Sequence, residues 1–191
     1  MKQIFTILIL VLTCGLQNVK GQQSEITKTF DKYIEATKSE NIEEQLDYYH
    51  PEIFKHLPRD TFLLAFKMLK SNPMIQVGNE KLVSVSKIYT ENKSSYALLT
   101  FTQEISMDMS NMKDEGGAST AISFMLIELN KEHGEDNVIF NEDKYIVKIS
   151  MTNEFYTILE PTLKEWKFLP KEDDTQIIIE QIIPKRIIKK I

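Results

Sequence analysis

A candidate metal-binding face lies on an early helical segment. Glu43, Asp47 and His50 are spaced i, i+4 and i+7, which places two carboxylates and an imidazole on one side of a helix. A di-iron bundle would need a second helix with a Glu-x-x-His spacing, and no other histidine of the sequence has a carboxylate three residues before it. We therefore interpret this face as solvated and predict no metal.

Two further chemical motifs are weak. The segment Gly116-Gly117-Ala118-Ser119 enters a predicted helix and could hold a phosphate with its backbone amides, but the acidic residues Asp114 and Glu115 directly before it oppose an anion. The sequence has no Gly-x-Ser-x-Gly element, and its one cysteine, Cys14, lies in the leader. Phosphate binding and triad chemistry are therefore disfavoured, and no cofactor is predicted.

Three helices must position the early polar residues. The first is predicted from Ser24, as its N-cap, to about Lys38, with an apolar stripe of Ile26, Phe30, Tyr33, Ile34 and Thr37. Asn41 caps a second helix that ends before His50-Pro51. A third helix is predicted from Arg59 to Asn72-Pro73, with these side chains buried: Phe62, Leu63, Phe66 and Leu69.

Alternation of apolar and polar residues takes over after Gly78. A long antiparallel hairpin is predicted there, with its turn at Glu91-Asn92-Lys93-Ser94. A helix follows through Ala121–Leu129 and ends at Gly134. The stretch Tyr145 to Met151 alternates again, a turn is predicted at Thr152-Asn153, and Phe155 to Leu159 is expected to pair with Glu165 to Leu169. We predict one α+β domain over residues 22–191.

Composition excludes several classes of partner. The chain has 191 residues, a net charge of -5 and 42% hydrophobic residues, which indicates a folded globular protein and disfavours nucleic acid as a partner. A single cysteine rules out an internal disulfide. Only Arg59 and Arg186 could offer the bidentate fork that usually recognises phosphate or carboxylate, so anionic ligands are disfavoured.

The first residues are typical of a secretory signal peptide. Lys2 precedes an apolar run from Ile4 to Leu12, which is too short to span a membrane, and no later segment is long enough either. Cleavage after Gly21 would leave a chain that begins at Gln22 with a net charge of -7. We therefore expect an exported bacterial protein, either periplasmic or secreted into the medium.

Cys14 leaves an alternative open. Val11-Leu12-Thr13-Cys14 is similar to a bacterial lipobox, in which the cysteine is acylated, although Thr13 stands where a small residue is usual. We favour simple cleavage. The alternative is an outer-membrane lipoprotein anchored through Cys14.

The order of three helices and a long antiparallel meander resembles the NTF2-like superfamily. The similarity is carried by the opener FDKYIEATKSENIEEQLDYYHPEIF and the late strand KEWKFLP, and it covers about Ser24 to Leu169. It implies helices packed on a strongly bent antiparallel sheet, a cone that surrounds a cavity. The segment from Asp114 to Gly134 departs from the family pattern as a helical insertion between strands.

The resemblance also suggests where a site would lie. The ketosteroid isomerase and SnoaL-like branches place an acidic base on a strand and a tyrosine or histidine on the early helices; the candidates here are Glu104, Asp108 and His50. We interpret Tyr33 and Tyr49 as core or cavity-wall residues instead. The residues expected to line a cavity are Tyr33, Tyr49, Phe66, Phe101 and Trp166.

The C-terminal tail is amphipathic. It holds eight isoleucines, and Pro184 is predicted to start a last short helix with Lys185, Arg186, Lys189 and Lys190 on one face. This pattern could bind a membrane surface. We favour docking of the tail on the domain, because so many isoleucines need burial.

These patterns favour a non-catalytic module that binds a small apolar ligand or a protein, with a possible homodimer through the sheet. The first alternative is an NTF2-like isomerase or dehydratase that uses a cavity carboxylate such as Glu104. The second is the lipid-anchored envelope protein.

Overall fold

The computed structural model describes residues 21–39, 41–113 and 117–191. The predicted leader lies outside these ranges except for Gly21, and so do Cys14 and residues 114–116. The signal peptide and the lipid anchor therefore stay predictions.

Helix α1 covers residues 21–38, and helix α2 covers Ile42–Asp47. The predicted stripe of α1 is buried at Ile26, Phe30, Tyr33 and Ile34. Ser24 was predicted as the N-cap, and this is wrong, because the helix is already formed before it. The cap of α2 is confirmed: the Asn41 side chain accepts a hydrogen bond from the Glu44 amide at 3.4 Å.

The next two helices are α3, Ile53–His56, and α4, Arg59–Ser71. The bounds of α4 agree with the prediction, but the burial predicted for its apolar side chains is wrong, since α4 has no buried residue. Phe62, Leu63 and Phe66 are half-buried, and Leu69 is exposed. Apolar residues occur on both sides of this helix, and only one side can face the protein.

The strands form one sheet. They are β1 (Ile75–Val85), β2 (Tyr89–Glu91), β3 (Ser94–Asp108), β4 (Val138–Asn141), β5 (Ile146–Leu159) and β6 (Lys167–Pro170). Their order is β1-β3-β5-β4, with β2 on β3 and β6 on β5. The prediction of an α+β fold with N-terminal helices and an antiparallel sheet is confirmed.

Residues that favour turns predicted one connection correctly and another wrongly. The predicted turn between β2 and β3 is confirmed, and Asn92 and Lys93 adopt positive φ there, at 49° and 69°. The turn predicted at Thr152-Asn153 is wrong, because β5 continues through both residues. Asn153 Nδ2 donates to Gln103 Oε1 on β3 at 3.2 Å, so a cross-strand partner outweighs the local turn preference of asparagine.

Helix α5, Ala118–His133, confirms the helix predicted between two strands. It ends at Gly134, whose φ is 89°. Short 3-10 turns flank these elements at Ser110–Met112, Glu135–Asn137 and Asp173–Thr175.

The C-terminal tail forms helices α6, Gln176–Ile182, and α7, Lys185–Ile188. Four of its isoleucines are buried, and Arg186 Nε donates to the carboxylate of Glu91. The buried isoleucines are Ile178, Ile179, Ile183 and Ile187. Docking, the interpretation that we favoured for the tail, is confirmed. Across the described ranges, no helix combines the length and apolar character needed to cross a bilayer.

The contacts divide the chain into two compact units. Unit 1 comprises the residues through His56 together with Ser84–Leu99 and Phe155–Ile191, and unit 2 comprises Leu57–Val83 and Thr100–Glu154. Nearly all the buried apolar side chains of the described ranges belong to unit 1; those of unit 2 are Phe101, Ile122, Val147 and Ile149. The assignment of residues 22–191 to one domain stays a prediction.

Candidate functional site

An aromatic cluster fills the core of unit 1. Its members are Phe30, Tyr33, Tyr49, Phe155 and Phe168, and Tyr33 has ring-centroid distances of 5.6–6.0 Å to the other four. Most of these rings meet edge to face, while Phe155 and Phe168 stack at 5.5 Å. The structure thus brings together Tyr33 and Tyr49, two of the residues expected to line a cavity.

The hydroxyl groups of Tyr33 and Tyr49 lie 3.3 Å apart and form a hydrogen bond. Burial, followed by the neighbouring Tyr33, raises the pKa of Tyr49 well above 10. The Tyr49 phenol is therefore protonated at neutral pH, and the two hydroxyl groups satisfy each other inside an apolar core. This arrangement fits the interpretation of both tyrosines as core residues.

His50 follows this cluster in the chain and is 1% exposed. Its backbone amide donates to the carbonyl of Phe168 at 2.8 Å, which attaches the segment that follows α2 to β6. Nδ1 accepts a hydrogen bond from the amide of Glu52 at 3.4 Å, so the proton of the neutral ring resides on Nε2. Buried Nε2 has no hydrogen-bond partner in the described structure, and Glu160 Oε1 is 3.8 Å away.

Burial lowers the pKa of His50 to about 4. The imidazole is therefore uncharged at neutral pH. The interpretation of Glu43, Asp47 and His50 as one solvated face is wrong for His50, because only the two carboxylates are on the exposed side. Among the described residues, no group of histidine, cysteine and carboxylate side chains could hold a metal ion.

The two candidate carboxylates belong to unit 2. Glu104 Oε1 accepts hydrogen bonds from Lys148 Nζ at 3.0 Å and from Asn79 Nδ2 at 3.1 Å, and the Lys148 bond is the main cause of its lowered pKa. Asp108 Oδ1 accepts from the amide of Ser110 at 2.9 Å, and its pKa is lowered by hydrogen bonds from Ser110. Both groups are therefore ionised carboxylates that already have partners, whereas a general base benefits from a raised pKa.

The remaining residues of the predicted cavity are divided between the units. Trp166, in unit 1, is 1% exposed, and its buried Nε1 finds no acceptor within the described residues. Phe66 and Phe101 belong to unit 2, where Phe66 is half-buried on α4 and Phe101 is 3% exposed on β3.

An open cleft of about 270 Å³ lies within unit 2, between α5 and β4 with its following turn. Helix α5 presents one face to it at spacing i, i+3, i+4 and i+7, through Ser119, Ile122, Ser123 and Leu126. The other side is formed by Phe140, Glu142 and Tyr145. Ile122 is 3% exposed and forms the buried floor. The cleft combines an apolar floor with hydroxyl and carboxylate groups at its edge.

Tyr145 is held in an unusual backbone conformation at this edge. Its φ is 54°, a region that tyrosine rarely adopts, and its carbonyl accepts a hydrogen bond from the amide of Met109 at 2.8 Å. Its ring meets that of Phe140 edge to face at 5.8 Å, and Lys113 Nζ lies 5.6 Å from its centroid. These contacts fix one wall of the cleft.

Sequence reasoning did not find this cleft. The spacing of Ser119 and Ser123 among the apolar residues of α5 was the available signal, because serine inside a helical stripe marks a partly polar contact. Tyr145 was predicted to begin a strand, whereas β5 begins at Ile146.

Comparisons with protein-family models and with curated proteins find no match to this chain.

Proposed function

We propose that this protein is a non-catalytic module that binds a small ligand in the cleft of unit 2. The observation that carries the proposal is the lining of the cleft, in which one face of α5 lies opposite Phe140, Glu142 and Tyr145. That face of α5 presents Ser119, Ile122, Ser123 and Leu126. The surface that the cleft exposes is more polar than apolar, and a few convergent polar groups are what fix the orientation of a ligand in a site.

The carboxylates support a binding role over the enzymatic alternative. Glu104 and Asp108 both have a lowered pKa and hydrogen-bonding partners. An acid that must remove a proton next to a carbonyl works best with a pKa near neutral pH. The hydrogen bonds to Glu104 and Asp108 instead lower the pKa of each carboxyl group.

Ligand binding can be tested by NMR of the full chain with methyl labels at Ile122 and Leu126. We use 2-phenylethanol and indole as neutral amphipathic probes and expect saturable shifts of both methyl groups. Ser123→Trp places a large ring in the cleft and should abolish these shifts. Thr120→Trp, on an exposed position of α5 outside the lining, is the matched control and should preserve them.

The proposal fails if neither probe shifts these methyl groups. It also fails if Ser123→Trp leaves binding unchanged, because the probes would then occupy another site.

Self-association is a second candidate function, favoured by exposed apolar side chains. On α4, Leu64 and Met68 are 61% and 65% exposed, and on α5, Phe124 and Ile127 are 66% and 58% exposed. Helix α4 has three basic residues against one acidic, whereas α5 and the turn Glu135–Asn137 together have four acidic residues against one lysine. The α4 of one copy is therefore complementary in charge to the α5 of another.

Sedimentation velocity at increasing protein concentration tests this second candidate. We expect Met68→Glu to weaken association, and Ile177→Glu, at an equally exposed isoleucine of unit 1, to leave it unchanged. A wild-type chain that stays monomeric at all concentrations would exclude it.

The fold family and the cellular address belong to the same proposal. The order of helices followed by an antiparallel sheet supports an NTF2-like form with a strongly bent sheet. The apolar run from Ile4 to Leu12 supports export. Intact-mass measurement of the mature protein separates the two addresses, because a chain that begins at Gln22 would exclude an anchor on Cys14.

A further inference from the structure

We propose that the cleft of unit 2 selects small organic cations, namely a primary ammonium group carried on an aromatic or branched apolar body. This inference rests on the proposed function and adds the chemical class of the ligand. It follows from the charge, hydrogen-bonding capacity, aromatic surface and size of the cleft.

The formal charge of the lining is negative. Glu142 is the acidic residue among the seven that line the cleft, and it is exposed at the edge. Ser123 Oγ donates its hydrogen to the carbonyl of Ser119 at 2.8 Å, so its lone pairs point outward as acceptors. An ammonium group offers three donors and no acceptor, which matches a carboxylate and an accepting hydroxyl.

The aromatic wall also favours a cation. Lys113 Nζ already lies 5.6 Å from the centroid of the Tyr145 ring, so this ring is partly occupied by a cation of the protein itself. The ring of Phe140, in contact with Tyr145 at 5.8 Å, adds a second π surface to the same wall. The faces of such aromatic rings attract cations and offer no comparable attraction to anions.

The surrounding sequence strengthens this preference. Residues 100–154 contain eleven acidic and four basic residues, whereas the rest of the chain has seventeen acidic and nineteen basic ones. The net negative charge of the protein is therefore concentrated in the segment that builds the cleft. Such a field raises the local concentration of cations and disfavours anions.

Two positive groups oppose the preference. Lys113 places an ammonium group beside the aromatic wall. Ser119 lies in the first turn of α5, and the N-terminus of a helix has a partial positive charge of about one half. Glu142 belongs to the lining itself, and residues 100–154 have seven more acidic than basic residues with Lys113 already counted among the basic ones. We therefore expect the acidic side chains to decide the sign of the selectivity.

The volume limits the size of the ligand. A cleft of about 270 Å³ holds roughly nine water molecules at about 30 Å³ each. This is room for one ring with a short side chain.

The test compares three probes of the same shape, 2-phenylethylammonium, 2-phenylethanol and phenylacetate, by NMR titration of the full chain at low salt. We expect the ammonium to bind about 2- to 5-fold more tightly than the alcohol, as for a solvent-exposed ion pair, and phenylacetate to bind most weakly. Added NaCl should reduce the preference.

Two variants assign the preference to its residue. Glu142→Gln should bring the ammonium to the affinity of the alcohol without changing the affinity of the alcohol itself. Glu135→Gln removes an exposed carboxylate of the same acidic segment outside the lining and should keep the preference.

An alcohol that binds as tightly as the ammonium would overturn the cation preference while leaving the ligand cleft in place. A preference that survives Glu142→Gln would also overturn it. If no probe binds, the proposed function and this inference fail together.

Discussion

The two units differ in how far they bury the apolar side chains of their helices. In unit 1, α1 and α2 bury their apolar faces against an aromatic core. In unit 2, α4 buries no residue and α5 buries Ile122 on the side of the cleft. All the large exposed hydrophobic side chains of the described ranges belong to unit 2, except Ile177.

This difference determines which unit supplies most of the folding free energy and which unit keeps apolar side chains at its surface. Burial of apolar area is the main source of folding free energy, so unit 1 holds most of it. Exposed apolar side chains contribute little to folding but remain available to a ligand or a second copy. Unit 1 therefore resembles a conventional protein core, whereas unit 2 keeps apolar side chains at its surface, as the proposed binding role requires.

The largest expected effect comes from matched phenylalanines. Phe168 is fully buried and contacts several aromatic rings, so Phe168→Ala should lower the free energy of unfolding by about 3–5 kcal/mol. Phe124 is 66% exposed, and Phe124→Ala should change the free energy of unfolding by less than about 0.5 kcal/mol. Urea unfolding followed by circular dichroism measures both.

Equal losses in these two variants would remove the distinction between the units. Should Phe168→Ala fail to fold, Phe168→Leu keeps most of the apolar volume and should still be less stable than Phe124→Leu.

The pH dependence of unit 1 gives the next effect. Since the folded pKa of His50 is about 4 against an ordinary 6.5, the unfolded chain binds the extra proton between these values. This titration leaves the free energy of unfolding unchanged above pH 6.5. As the pH falls from 6.5 towards 4, the free energy of unfolding decreases by up to about 3 kcal/mol.

The charged neighbours of His50 act in both directions. Glu52 raises the pKa of His50, whereas Lys167 and Lys55 lower it, and burial exceeds all three. His50→Gln should flatten the dependence of unfolding free energy on pH relative to the wild type. An imidazole that titrates near 6.5 by NMR in the folded protein would contradict this prediction.

A matched pair of isoleucines gives a smaller effect. Ile187 is 3% exposed in the docked tail, so Ile187→Ala should cost about 2 kcal/mol of unfolding free energy. Ile127 is 58% exposed on α5, and Ile127→Ala should cost less than about 0.5 kcal/mol. Thermal unfolding of both variants makes the comparison, and a neutral Ile187→Ala would show that the tail adds no stability.

The smallest effect concerns an ion pair of unit 2. Glu104 and Lys148 are partly exposed, so Lys148→Gln should cost less than about 1 kcal/mol. It should also raise the pKa of Glu104, because the Lys148 hydrogen bond is the largest cause that lowers it. Titration of the carboxyl group by NMR measures this shift, and an unchanged pKa would contradict the assignment.

Interactions between residues close in sequence predicted where helices and turns occur, but they predicted less well which side chains are buried. The Asn41 cap, the turn at Asn92 and Lys93 and the start of α7 after Pro184 each depend on residues next to one another in sequence. The burial of Phe62 and Leu69 depends on which side of α4 meets the protein, and periodicity alone cannot decide this when both sides are apolar.

The candidate site was harder to predict for the same reason. Ser119 and Tyr145 are distant in sequence and meet only because α5 folds back along β4. Glu104 was correctly placed on a strand, but Lys148, which fixes its charge, comes from β5. The partners that set a pKa or close a cleft come from tertiary structure, so a single element does not reveal them.

The position of Trp166 determines what fluorescence can observe. It is the one tryptophan of the chain, and it lies buried in unit 1. Its emission therefore reports the unfolding of unit 1. Circular dichroism, in contrast, averages over every helix and strand. If the two signals change at different urea concentrations, the units unfold separately; if they coincide, the chain unfolds as one cooperative body.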